Sequence, residues 1–220
     1  MKYKRNPDWF DKTDQNFPFM DAVELAIIPE YATRLAQFLA GNTDREAPNA
    51  LDLVDAKKQV PDILNIGSVA AQANYIWFDS DPASPWTKDE RVRQAISMSF
   101  PRDDLQDLAY DFRKLKAAGI DVKNPWNNVI PAGFSRFWLD PQGKDQGDTA
   151  KFYKYDAAEA KKLLSEAGFA DGFSATYQYP GNVYGKAFND VAEATISYLN
   201  QLSIKTTTEV QDYASKWVTQ

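Results

Sequence analysis

The chain contains no histidine and no cysteine. Together these absences exclude Ser-His and Cys-His nucleophilic catalysis, disulfide bonds and thiolate zinc sites. They leave the compartment open, because a cysteine-free chain is compatible with any redox environment. No apolar run approaches the roughly 18 residues of a membrane span, and the N-terminal stretch MKYKRNPDWF lacks the apolar core of a signal peptide. Basic runs are also missing, and 25 Lys and Arg against 31 Asp and Glu leave a net charge of -6. Duplex binding depends on cations neutralising phosphates, so nucleic acid is not an expected partner. The chain has no internal repeat and no low-complexity segment.

What is abundant is aromatic surface. Six Trp, eleven Tyr and thirteen Phe make 14% of the 220 residues, more flat surface than a core requires, and part of it is available to line a ligand cleft. The remaining composition, 44% hydrophobic and 25% charged, is that of a folded globular protein with one large or two small domains.

Local patterns divide the chain into elements. Residues 2–10 read as a strand end and an Asn6-Pro7 turn, 22–28 (AVELAII) as a strand, and 31–40 as a helix with Gly41 as its stop. A short helix is predicted over 52–58, and strands over 62–66 and 73–78 (ANYIWF). Thr87 followed by Glu90 has the spacing of a capping box, and Val92, Ala95 and Ile96 form the apolar stripe of the helix after it. Pro101 ends that helix and opens another, which carries Asp103 and Asp104 at its positive end. Residues 117–148 form a long loop rich in Gly and Pro that holds Trp126, Phe134, Phe137 and Trp138. Asp156 with Glu159 starts a helix that Gly168 ends. A strand over 173–179, a helix over 188–202 and a strand over 204–210 then have the order and spacing of a βαβ unit.

Searching the same sequence for chemistry leaves little. A carboxylate pair or a Ser-Lys pair remains open, because 31 acidic residues bring some pair together by chance. The cluster Asp79, Asp81, Asp89 and Glu90 lacks the glycine and spacing of a calcium loop and reads as a polar turn, so no metal site is expected. GNVYGK, residues 181–186, is one residue short of a phosphate-binding loop and has Ala187 in the Mg²⁺-ligating position, so a turn into the next helix is the better reading. Arg91 and Arg93, taken alone, are solvated charges.

Four segments, in order, resemble the extracellular solute-binding proteins of family 5, which deliver peptides, and in some members nickel or oligosaccharides, to bacterial ABC importers. They are RNPDWF with AVELAIIPEYATRLAQFLAGNTD, then NYIWFDSDPASPWTKDERVRQAISMSFPRDDL, then YDAAEAKKLLSEAGF, and last SYLNQLSIKTTTEV. The chain departs from the family pattern at Pro101, where an aspartate usually precedes the arginine, and at Ser203, where a glycine is usual.

The resemblance implies an α/β, periplasmic-binding-protein-like fold, type II and clamp-like with two lobes, of which this chain is a piece with a βαβ-containing mixed sheet. Residues 1–65 would be the closing part of lobe one, and 66–220 a large part of lobe two, truncated at its C-terminus. It also implies binding without chemistry: two lobes close on a peptide or oligosaccharide, and the closed form is recognised by an ABC permease in the membrane. No cofactor is implied. The location would be periplasmic or extracellular, with a lipoprotein anchor as one mode of attachment. Alternation along 73–78 places Tyr75 and Trp77 on one side and Ile76 and Phe78 on the other, one cleft and one core. The candidate ligand contacts are Tyr75, Trp77, Asp79, Trp86, Trp126 and Trp138, the four tryptophans keeping a stacked sugar as an alternative. Two readings of another class also stand: a hydrolase using a carboxylate pair, and an interaction module built on the same fold.

Overall fold

The computed structural model describes residues 1–10, 18–65, 67 and 69–219. Contacts divide the chain into unit one, Met1–Pro48 with Asp55–Ile63, and unit two, Asn49–Val54 with Leu64–Gln220.

In unit one, β1 (Lys2–Lys4) pairs antiparallel with β2 (Ala22–Glu24), Tyr3 opposite Val23, and the pair is extended by Arg5 N–H on the Asp21 carbonyl. The Asn6-Pro7 turn is present: the Asn6 side-chain oxygen accepts from the Asp8 N–H at 3.0 Å. The predicted strand over 22–28 stops at Glu24, because beyond Leu25 the described residues offer it no ladder partner. Helix α1 (Tyr31–Leu39) matches its expected span and is capped by the Glu30 carboxylate. Arg34 ties its start to the carbonyls of Ile28 and Pro29. Helix α2 (Ala50–Gln59) spans the predicted second helix and is divided between the units after Val54. The strand predicted over 62–66 is absent among the described residues, and Ile66 itself lies outside them.

Unit two holds the core. A one-turn helix α3 (Pro85–Lys88) leads into α4 (Glu90–Met98), α5 (Arg102–Tyr110) and α6 (Phe112–Ala117). A 3-10 turn (Gly147–Tyr153) precedes α7 (Ala157–Glu166), β3 (Phe173–Pro180), α8 (Lys186–Gln201) and β4 (Ile204–Gln211). Strands β3 and β4 are parallel, with Phe173 beside Ile204 and Pro180 beside Gln211, and α8 is the crossover between them. The βαβ unit is therefore as the spacing predicts. Helix α7 starts where its sequence says, the Asp156 carboxylate accepting from the Glu159 N–H at 2.9 Å. Val92, Ala95, Ile96 and Met98 of α4 meet Ala160, Leu163 and Leu164 of α7, and Leu199, Leu202 and Ile204 complete the cluster. Burying each large aliphatic side chain here contributes about 1.5–3 kcal/mol before chain entropy is counted.

Two local expectations change. The cap of α4 is Asp89, whose carboxylate accepts from the Arg91 N–H, because Ser84-Pro85 already starts α3 and Thr87 is used inside that turn. The stretch 73–78 is not a strand: a ladder needs a neighbouring backbone, and among the described residues none pairs with it. Its side chains still alternate, with Ile76 and Phe78 packed on the core while Tyr75 and Trp77 are exposed.

Candidate functional site

The aromatic stretch and the long loop of unit two meet. The Tyr75 hydroxyl donates to the Val129 carbonyl at 3.1 Å, and the rings of Tyr75 and Trp77 lie 5.7 Å apart. Further back, the Gly133 N–H donates to the Ala70 carbonyl at 3.1 Å. A Cβ at residue 133 would stand 2.5 Å from that carbonyl oxygen, so the approach requires glycine.

The loop keeps its shape through side chains that bond to backbone. Asn127 accepts from the Ala132 N–H and Asn128 from the Ile130 N–H, while the Asn128 amide donates to the Leu139 carbonyl. The Trp138 indole N–H donates to the Trp126 carbonyl at 3.1 Å, and the Trp126 indole N–H to the Asp103 carboxylate at 2.7 Å. Both tryptophans are partly buried. With the polar groups turned to these tasks, the apolar side chains face outward: Trp77 is 83% exposed, Val129 82% and Phe137 67%.

The six expected contact residues thus fall into two sets. Tyr75, Trp77, Trp126 and Trp138 belong to one neighbourhood, joined through the loop. Asp79 and Trp86 belong to another. The Asp79 carboxylate accepts from the Ser84 hydroxyl and the Asp81 N–H, and its carbonyl accepts from the Trp86 indole and the Thr87 hydroxyl. The Ser84 bond, foremost, holds the Asp79 carboxyl below its usual pKa. Trp86 lies against Phe78 and Phe173, beside the core. Asp79 therefore braces the proline loop, and its acceptor capacity is largely occupied.

The acidic cluster is likewise drawn into local turns. Asp81 accepts from the Ala83 N–H, and Asp89 accepts from both the guanidinium and the backbone of Arg91, which hold its pKa at about 2. Among the described residues no three His, Cys, Asp or Glu side chains gather in a way that would hold a metal ion. Nor is any described helix long and apolar enough to cross a membrane.

A second locus escapes a reading of the sequence alone. At the carboxyl ends of β3 and β4, an open depression of about 360 Å³ is lined by Gly181, Asn182, Asn189, Val210, Gln211 and Asp212. Open α/β sheets place ligands at this end of their strands, which is the signal the βαβ pattern already carries. The Asn189 amide turns its nitrogen to the Gly181 carbonyl, leaving its buried oxygen without a partner among the described residues. Gly181 and Asn182 open the GNVYGK stretch, residues 181–186. Its Lys186 pairs with Asp190 in α8 instead of presenting a free ammonium, in keeping with a turn.

Comparison with known proteins agrees with the fold. The family model for the middle part of the bacterial extracellular solute-binding proteins, family 5, matches residues 1–220. A probable ABC transporter-binding protein of Deinococcus radiodurans is 30% identical over 181 residues, 76% of this chain and 28% of the relative. Heme-binding protein A of Haemophilus influenzae is 28% identical over 72% of this chain and 25% of its own length. Among solved structures, the oligopeptide-binding protein AppA of Bacillus subtilis in complex with a nonapeptide superposes with a TM-score of 0.62 at 24% identity, covering 100% of this chain and 41% of that one. The chain thus spans about a quarter to two fifths of the length of these relatives. It shares the α/β fold of periplasmic binding proteins of type II. The family match over residues 1–220, a span that includes the capped helices and the βαβ unit, makes this chain a member of the bacterial extracellular solute-binding proteins, family 5.

Proposed function

We propose that this chain is part of the substrate-binding component of an ABC importer, one that takes up a peptide between two lobes of the whole protein and carries out no chemistry on it. Residues 1–65 then belong to lobe one and 66–220 to lobe two. The observation that carries the reading is the exposed Tyr75–Trp77 ring pair, fixed on one side by the core packing of Ile76 and Phe78 and on the other by the 126–139 loop. An aromatic pair whose backbone is set by neighbouring core residues and whose Tyr75 is tied to the loop, with the Trp77 ring in solvent, is suited to contact a ligand. Trp126 and Trp138 shape the loop beside it, and Asp79 with Trp86 braces the stretch from the far end. The protein works outside the cytoplasmic membrane, periplasmic or extracellular, a lipoprotein anchor being one mode of attachment, with an ABC permease as its partner.

Calorimetry of the full-length protein with a defined set of di- to nonapeptides is expected to give saturable heat, with every peptide recovered intact by mass spectrometry. Trp77→Ala is expected to weaken binding by about tenfold or more. Release of shortened peptides would favour the carboxylate hydrolase, and no heat with any peptide would end the peptide reading. The 83% exposure of Trp77 also favours a second ligand class, an oligosaccharide stacked on the ring. Heat with maltotriose or cellotriose and none with peptides would select it.

A further inference from the structure

Arg102 is a cation in an unfavourable place. It lies in the first turn of α5, at the positive end of that helix, and no carboxylate pairs with it among the described residues. Withdrawal from water lowers the pKa of its guanidinium to about 10, so it stays charged at neutral pH. What compensates it are helix ends. The guanidinium donates to the Ser97 carbonyl at 3.0 Å and the Ser97 hydroxyl at 2.8 Å, at the C-terminal turn of α4, and to the carbonyl of Tyr153, last residue of the 3-10 turn. Carbonyls at such ends lack helical partners and carry the negative end of the dipole. The rings of Tyr153 and Trp126 approach the guanidinium carbon at 5.1 and 5.9 Å.

We propose that Arg102 is a positioning residue for the 124–139 loop, acting through Trp126, with helix-end carbonyls serving in place of a carboxylate. Trp126 is held at its ring face by Arg102 and at its indole N–H by Asp103; its carbonyl then receives Trp138, while Gln106 holds the Pro125 carbonyl at 2.9 Å. The first turns of α5 therefore form a rack from which the loop is hung. Lysine does not replace this arginine: its ammonium has three donors but gathers them at one point, without the planar fork that spans these acceptors from two nitrogens or a flat face for the two rings. The proposal rests on the binding reading only for what the loop is held to do.

The test needs no ligand: acrylamide quenching of tryptophan fluorescence in the full-length protein, for wild type, Arg102→Met and Arg102→Lys, each with and without Trp126→Phe. Release of Trp126 from its stacking partner is expected to raise its quenching constant about threefold in both Arg102 variants. The difference is expected to disappear in the Trp126→Phe background. A core control, Leu163→Ala, lowers the melting temperature through its cavity and is expected to leave quenching unchanged while folded. The proposal is overturned if Arg102→Met quenches like wild type, if its effect survives Trp126→Phe, if Leu163→Ala reproduces it, or if Arg102→Lys restores the arginine value. Should Arg102→Met not fold, Arg102→Lys carries the same comparison alone. Quenching is independent of peptide binding, so a protein that binds no peptide still distinguishes a positioning Arg102 from an idle one.

Discussion

In unit one, β1, β2 and α1 contribute no buried side chain, whereas in unit two α4 alone contributes four. The elements of unit one are joined by polar ties: Lys2 to Glu24 across the strand pair at 2.8 Å, and Arg34 to Glu46 and two carbonyls at the start of α1. An exposed tie such as Lys2–Glu24 contributes about 0–1 kcal/mol, while a single buried aliphatic side chain contributes about 1.5–3 kcal/mol; Arg34–Glu46 is partly buried. The hydrophobic cluster thus lies in unit two, while the strand pair and α1 of unit one rest mainly on polar contacts. Family membership is carried by segments in both, so a shared pattern does not report how strongly a region is held.

The largest expected effect comes from the core of unit two. Ile204 is 1% exposed at the start of β4, and Ile204→Ala is predicted to cost about 2–5 kcal/mol. Val23→Ala, at its exposed counterpart in β2, is predicted to change stability by less than about 0.5 kcal/mol. Urea midpoints for the two variants measure the contrast directly, and equal shifts would dissolve it.

A smaller change sharpens the contrast from the stabilising side. Ser203 sits between α8 and β4 with φ of 65°, a left-handed conformation that glycine adopts without cost. Ser203→Gly is therefore predicted to raise stability by up to about 1 kcal/mol, the relief of strain exceeding the greater entropy of the unfolded glycine. A lowered melting temperature would show that the serine is better accommodated than its backbone suggests.

The smallest effect is confined to acid. Arg91 holds the Asp89 pKa at about 2, below its usual 3.8, so the folded state favours the ionised form. The resulting contribution is fully present above 3.8 and is lost as pH falls toward 2. Asp89→Asn is predicted to flatten that part of the stability profile and leave its neutral part parallel to wild type, as followed by circular dichroism.

These contrasts parallel what is legible in the sequence. Helix α7 is readable because Asp156 and its apolar stripe are near neighbours in the chain, and the βαβ unit because its strands and helix are sequential. The stretch 73–78 reads wrongly as a strand because β-propensity describes how side chains suit a pleated surface, whereas the ladder requires a partner the pattern does not contain. Its inside-outside alternation is nonetheless correct, since Ile76 and Phe78 meet the core. Thr87 resembles a cap without being one because two caps compete within six residues, and Ser84-Pro85 takes the first. The roles of Trp126 and Trp138 are hidden for a different reason. Indole N–H groups choose acceptors across 12 and 23 residues of chain, and Arg102 reaches across 51, distances over which periodicity carries no information.

The loop hung from α5 also bears on how such a protein diversifies. Its form is set by the side chains of Trp126, Asn127, Asn128 and Trp138 together with a few backbone turn bonds, and it is not part of a strand ladder among the described residues. The outward residues between those anchors, Val129 and Phe137 among them, take no part in that scaffolding through their side chains. The segment therefore separates mounting from display: Trp126, Asn127, Asn128 and Trp138 hold it in place, and substitutions at the outward positions Val129 and Phe137 are expected to leave that mounting intact.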